Sequence, residues 1–383
     1  MGLRVRFGML VIGAVIAPYL MSVTPAAAAS PGDVVEATPT TVYLAPGKLL
    51  EVPVKAWHLL YRSTSATGGA NVVSGTLLVP KTPYLLGKRP IAGYAVGTHG
   101  LGDQCAPSVA MANGTEAELA FVSLMLLKGW AVAVTDYEGL GTPGEHTYMA
   151  GISQGHAVLD SIRAATRVPA AKLASGGPVV VMGYSQGGSA AAWAAQLQSS
   201  YASELNLKGV AAGGVPADLL AVAEHLDGGA SAGLAAAAGI GFDAAYPELN
   251  LNGYLTAEGA ALFGDARDDC VGDIESKFAG RTLAELTTTD VLALPDWQAR
   301  MTQNRLGAVR PRVPVFVYHA TGDEVIPIAI SRTLRRDWCG RGANLLWTSV
   351  PASSHVLGAV EGGPLAIAWL ASRVLGLPTL SNC

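Results

Sequence analysis

Ser185 stands in Gly183-Tyr184-Ser185-Gln186-Gly187, a G-x-S-x-G pentapeptide whose serine could act as a nucleophile. A serine hydroxyl does so only if a base takes its proton, and the base needs a buried carboxylate to hold its tautomer. When such a serine sits on a strand-to-helix turn of an open sheet, its partners follow in chain order, first Asp or Glu and then His. Of the seven histidines, only His355 lies beyond the segment HATGDEVIP, 319–327. It falls in a Ser-rich, Gly-bounded loop straight after a strand pattern, where a base can hang over the sheet edge. Asp323, in the Gly-Asp turn of the same segment, is the expected carboxylate. Its neighbour Glu324 is the rival and should point elsewhere. His319, on the preceding strand, is read as a packing or hydrogen-bonding residue.

The pentapeptide alone is weak evidence. With 46 glycines in 383 residues, chance gives about 0.3 such matches in a chain of this length. Its flanks decide the matter: PVVVMG, 178–183, is a buried-strand pattern, and GSAAAWAAQLQSSYASEL, 188–205, is a strong helix former. The turn between them needs small residues at Gly183 and Gly187, because the serine backbone is strained there. A tetrahedral intermediate also needs two donors for its oxyanion. The backbone N–H of Gln186 is expected to be one. The loop Gly97-Thr98-His99-Gly100 should supply the other from Gly100, with glycine letting the backbone approach the substrate closely. His99 either orients that loop or plays no part.

Around these residues the pattern is strand, helix, strand, helix. Residues 71–80, 91–98, 130–137, 207–214, 312–327 and 343–350 contain strand-like runs. Helix-like stretches such as ELAFVSLMLLKG and SQGHAVLDSIRAATRV alternate with them. This predicts an α/β fold with a mostly parallel central sheet and helices on both faces. Residues 31–70, punctuated by Pro, Thr and Gly, are expected to wrap the surface before the first strands. From 217 to 310 the strand pattern lapses, and an inserted helical cap is expected there. The core is then 30–216 with 311–383. The run GGASAGLAAAAGIGF in the cap suggests close helix packing, with a lid or acyl-chain pocket as the alternative. Asp265, Asp268, Asp269 and Asp273 lack the spacing of a calcium loop and are read as a solvated acidic loop, with no metal.

Residues 1–29 carry Arg4 and Arg6 ahead of an apolar run and a small-residue A-x-A site, the pattern of a cleaved secretory signal with the cut after Ala29. The formal net charge of −4 becomes −6 once those two arginines are removed, which argues against a nucleic-acid partner. Half the residues are hydrophobic and only 14% charged, suiting a compact exported enzyme with a large apolar interior. Cys105, Cys270, Cys339 and Cys383 are an even set, consistent with two disulfides in any of three pairings.

Taken together, DQCAPS at 103–108, VTDYEGLG at 134–141, GYSQGG, LNLKGVAAGGVPADL, YHATGDEVIP and the C-terminal SSHVLG ahead of a final cysteine resemble the secretory lipase family, the lipase-A-like α/β-hydrolases. The resemblance runs from about Thr76 to Cys383. It implies a triad of Ser185, Asp323 and His355, a helical cap over the site, no cofactor, and hydrolysis of acylglycerols or other carboxylic esters. It also implies the pairs Cys105–Cys270 and Cys339–Cys383. Fungal members carry an acidic residue in the oxyanion loop where this chain has Gly100. The expectation is a secreted, monomeric serine carboxylester hydrolase meeting lipid or ester substrate at a lipid–water interface. Acyl transfer or peptide cleavage by the same triad, or a catalytically silent lipid-binding protein, are the alternatives.

Overall fold

The computed structural model describes residues 1–6, 8 and 30–383, so the segment read as a secretion signal lies almost wholly outside the described residues. The chain opens with β1 (Val34–Thr40), a small hairpin of β2 (Tyr43–Ala45) and β3 (Leu49–Glu51), then β4 (Val54–Thr64), β5 (Ala70–Pro80) and β6 (Ile91–Ala95). Next come α1 (Pro107–Asn113), α2 (Leu119–Leu127), β7 (Ala131–Tyr137), α3 (Gly151–Arg167), β8 (Val179–Tyr184), α4 (Gln186–Tyr201) and β9 (Leu207–Gly213). The strands form a nine-stranded sheet in the order β1-β4-β5-β7-β6-β8-β9, continued by β10 (Val315–Ala320) and β11 (Leu345–Val350).

From β7 to β11 every pairing is parallel, whereas β1, β4, β5 and β7 pair antiparallel. β6 and β8 are buried along their whole length, as strands covered on both faces must be. α3 and α4 cover one face, while α2 and α12 (His355–Val374) cover the other. Glycine sets how closely α3 and α4 approach: a Cβ on Gly151 would lie 1.9 Å from the Trp193 indole nitrogen.

One expectation fails. Residues 31–70 do not merely wrap the surface; they supply β1 and β4, and β4 pairs with β5 over its full length. Trp57, Leu59 and Tyr61 alternate into the core, a period-2 pattern that the Pro, Thr and Gly of the segment obscure.

Between β9 and β10 lie α5 (Leu219–Leu226), α6 (Ala232–Ala245), α7 (Ala257–Ala266), α8 (Val271–Phe278), α9 (Leu283–Leu286) and α10 (Pro295–Gln303). They enclose a core of their own around Phe242, Phe263, Phe278 and Trp297, distinct from the sheet core. The alanine–glycine run becomes α6 and packs closely along one face, as expected. A Cβ on Gly233 would meet Ile274 O at 2.6 Å, and one on Gly241 would meet Tyr148 O at 2.3 Å. Ala235 and Ala238 face open space instead, as described below. α11 (Ile328–Gly340) follows β10 and packs on β10 and β11. Both implied disulfides are present, Cys105–Cys270 and Cys339–Cys383. Among the described residues, no helix is long and apolar enough to cross a membrane.

Candidate active site

β8 ends at Tyr184 and α4 begins at Gln186, so Ser185 alone makes the turn. It does so at φ 58° and ψ −122°, a backbone region that side-chain-bearing residues seldom occupy. The flanking glycines are obligatory: a Cβ on Gly187 would lie 2.0 Å from Ala95 O, and one on Gly183 2.1 Å from Gly187 O. Ser185 N–H donates to Gly213 O at 3.0 Å, and Ser185 O accepts from Ser189 N–H at 2.9 Å. The strained residue is therefore held on both sides.

The loop after β10 carries Asp323, whose carboxylate is fully buried. Its Oδ1 accepts the backbone N–H groups of Val325 at 3.0 Å and Ile326 at 2.8 Å. Its Oδ2 accepts from His355 Nδ1 at 2.8 Å. Burial alone would raise the Asp323 pKa; hydrogen bonds from His319 and His355 and the adjacent backbone overcome this and hold it well below the usual carboxylate range. Glu324, the rival carboxylate, accepts the backbone N–H of His355 at 2.8 Å, an anion at the N-terminus of α12. His355 is tied to the Ser185 turn by Tyr184, which donates its hydroxyl to His355 O at 2.7 Å with the two rings 5.0 Å apart. Ser185, Asp323 and His355 thus come from three separate stretches to the C-terminal edge of β8, β10 and β11, where open α/β sheets bind ligands.

The loop after β6 is fastened more firmly than its sequence suggests. Glu118 accepts Gly97 N–H at 2.7 Å and the Tyr94 hydroxyl at 2.5 Å. His99 lies between Gly97 O, 2.9 Å from Nδ1, and Glu116 Oε2, 2.6 Å from Nε2. Burial would lower the His99 pKa, but the Glu116 carboxylate reverses this and raises it to about 9, so the ring is an imidazolium donating at both nitrogens. His99 does orient the loop. Gly100 forms an antiparallel bridge with Cys270, and a Cβ there would lie 2.5 Å from Asp269 O and from Cys270 Cα. Glycine at this position is therefore demanded by the cap's approach, reinforced by the Cys105–Cys270 disulfide. The acidic stretch beside it already faces a cation, Lys277, 2.5 Å from Asp269 and 4.0 Å from Asp265.

His146, Glu116 and Glu118 carry no sequence signal of their own. His146 is deeply buried, which lowers its pKa to about 4 and keeps the ring neutral. It donates from Nδ1 to Glu138 O at 2.8 Å and accepts at Nε2 from the Gln186 side chain at 3.3 Å, fixing the residue after Ser185. A cavity of about 50 Å³ lined by Ser185, Gln186, Tyr148, Val222 and Leu226 opens beside the serine. It shares Leu219, Ala223, Ala235 and Ala238 with a second cavity of about 50 Å³ that reaches Phe242, Phe263 and Trp297 inside the cap. The two form an almost wholly apolar recess leading away from Ser185.

Comparison with known proteins agrees with this geometry. A secreted triacylglycerol lipase of Malassezia globosa is 32% identical over 86% of this chain and 72% of its own length. A Mycobacterium tuberculosis protein named as a probable inactive lipase is 30% identical over 86% of this chain and 76% of its own. The crystal structure of Candida antarctica lipase A in its closed state superposes with a TM-score of 0.83 at 24% identity, covering 92% of this chain and 84% of that one. That superposition establishes an α/β-hydrolase fold. The sequence profile of the secretory lipases matches residues 106–382, and the chain belongs to the secretory lipase family, a lipase/esterase hydrolase by descent.

Proposed function

We propose that the protein is a secreted serine carboxylester hydrolase that cleaves acylglycerol-type or other lipid-like esters through an acyl-enzyme on Ser185. The observation that carries this reading is the 2.8 Å Asp323–His355 hydrogen bond at the sheet edge where the strained Ser185 turn emerges. Ser185 Oγ attacks the ester carbonyl while His355 Nε2 takes its proton. Asp323 holds the resulting imidazolium through Nδ1. His355 then returns the proton to the leaving alcohol. In the second half-reaction His355 deprotonates water, which attacks the acyl-enzyme and releases the acid.

The oxyanion donors are the N–H groups of Gln186 and Gly100. Gln186 is the first residue of α4, whose leading N–H groups have no partner within the helix. In the Gly100–Cys270 bridge the cross-strand bonds run from Leu101 N–H to Asp269 O and from Val271 N–H to His99 O. This is a non-hydrogen-bonded pair, so the Gly100 N–H points away from the cap strand. The apolar recess takes the acyl chain, which suits a substrate presented at a lipid–water interface. The family description and the secreted Malassezia relative support export.

The test is hydrolysis of p-nitrophenyl esters from two to sixteen carbons, with Ser185→Ala and Asp323→Asn alongside. Long-chain turnover is expected, lost in Ser185→Ala and lowered by about 10⁴ in Asp323→Asn. The mycobacterial relative named as inactive favours one rival, a silent lipid-binding protein. Failure of Ser185 to label with a fluorophosphonate in the folded wild type would establish that rival.

A further inference from the structure

Asp323 Oδ2 is shared. Besides His355 Nδ1 at 2.8 Å, it lies 3.1 Å from His319 Nε2, four residues back on β10. His319 is wholly buried, as is the Asp323 carboxylate. Two acceptors face His319 Nε2, this carboxylate oxygen and Ile326 O at 2.8 Å, so Nε2 carries the hydrogen. Its Nδ1 is held by Ser331 Oγ at 2.8 Å. Strand alternation explains the placement: Tyr318 turns toward Gly362 of α12, and His319 turns to the opposite face, onto Ser331 of α11.

The carboxylate therefore accepts three hydrogen bonds, two backbone N–H groups on Oδ1 and His355 on Oδ2, and the N–H edge of His319, bonded to Ile326 O, stands 3.1 Å from the same Oδ2. The groups facing His319 are Asp323, Ile326 O and Ser331; those facing His355 are Asp323 and Glu324, with Tyr184 donating to its carbonyl. We infer that His319 is a positioning residue of the hydrolytic site, fixing Asp323 Oδ2 and drawing off part of the charge it presents to His355. The negative charge on Asp323 Oδ2 is what holds the His355 ring through Nδ1. The second imidazole moderates that hold. The inference rests on the triad reading above.

The experiment compares wild type, His319→Gln, His319→Leu and Asp323→Asn, following kcat/KM for p-nitrophenyl butyrate and the rate of fluorophosphonate labelling from pH 5 to 9. His319→Leu removes the competing donor, so the acid limb is expected to move up by about half a unit or more. Its rate at pH 7 should fall about tenfold, the worth of a charge-assisted hydrogen bond. His319→Gln keeps a donor at the Nε2 position and should restore both the midpoint and most of the rate. A rate lost equally in the Gln and Leu variants with an unmoved midpoint would reduce His319 to a packing residue and overturn the inference. If His319→Leu fails to fold, His319→Asn, whose shorter amide does not reach the Nε2 position, takes its place: an acid midpoint unmoved from wild type overturns the inference, and a raised one upholds it. Full activity in Asp323→Asn would instead refute the triad reading itself.

Discussion

His99 gives the sharpest thermodynamic test of how the loop after β6, the proposed source of an oxyanion donor, is held. Its ring bridges Gly97 O and Glu116, with Glu118 and the neutral His146 nearby, and its pKa is raised from 6.5 to about 9 in the folded protein. A folded-state pKa above the unfolded value means that the charged ring stabilises the fold. That contribution is complete below pH 6.5 and is lost as pH rises through about 9. The full rise is worth at most about 3 kcal/mol. Linkage then gives about 2.5 kcal/mol at pH 7 and close to zero at pH 9.5. Urea unfolding of wild type and His99→Gln, disulfides intact, should therefore show a stability difference that shrinks by about 2 kcal/mol between those two pH values. Above pH 9 the neutral ring has one hydrogen for two acceptors; the Glu116 carboxylate keeps it on Nε2 and a bare Nδ1 faces Gly97 O, loosening the loop that carries Gly100. An alkaline limb near pH 9 is accordingly expected in wild-type ester hydrolysis and should be missing from the variant. A stability difference that stays flat from pH 7 to 9.5 would refute the claim that an imidazolium clamps this loop.

Two further outcomes follow from the cap. Ala238 lines both halves of the recess, so Ala238→Phe should cut hydrolysis of twelve-carbon esters roughly two hundredfold relative to four-carbon esters, at about 0.8 kcal/mol for each of some four excluded methylenes; an unchanged chain-length profile would place the acyl chain elsewhere. The Cys105–Cys270 bridge spans 165 residues, so replacing both cysteines with serine should lower the unfolding free energy by up to about 5 kcal/mol in urea titrations. It should also reduce turnover on every ester, because Gly100 loses its anchor to Cys270.

The sequence by itself determined the class of fold and pointed to the residues on which the proposed chemistry rests. Ser185 was legible because a strained strand-to-helix turn admits only small neighbours, a local requirement written within five residues. The buried runs of β6 and β8 were legible for a similar reason, since parallel strands covered on both faces read as continuous apolar stretches. Asp323 and His355 followed from chain order, and the structure places them in contact. β1 and β4 were hidden, because the pairing of β1 on β4 and of β4 on β5, and the half-buried alternation of β4, matter only once the sheet is assembled. The supporting residues were hidden as well. His99 meets Glu116 across 17 residues, His146 meets Gln186 across 40, and the cap reaches Gly100 through a bridge from Cys270. No local propensity marks such contacts. A histidine becomes an imidazolium clamp, a neutral acceptor or a partner to a buried carboxylate according to the groups that folding brings to its two nitrogens, and only the tertiary structure supplies them.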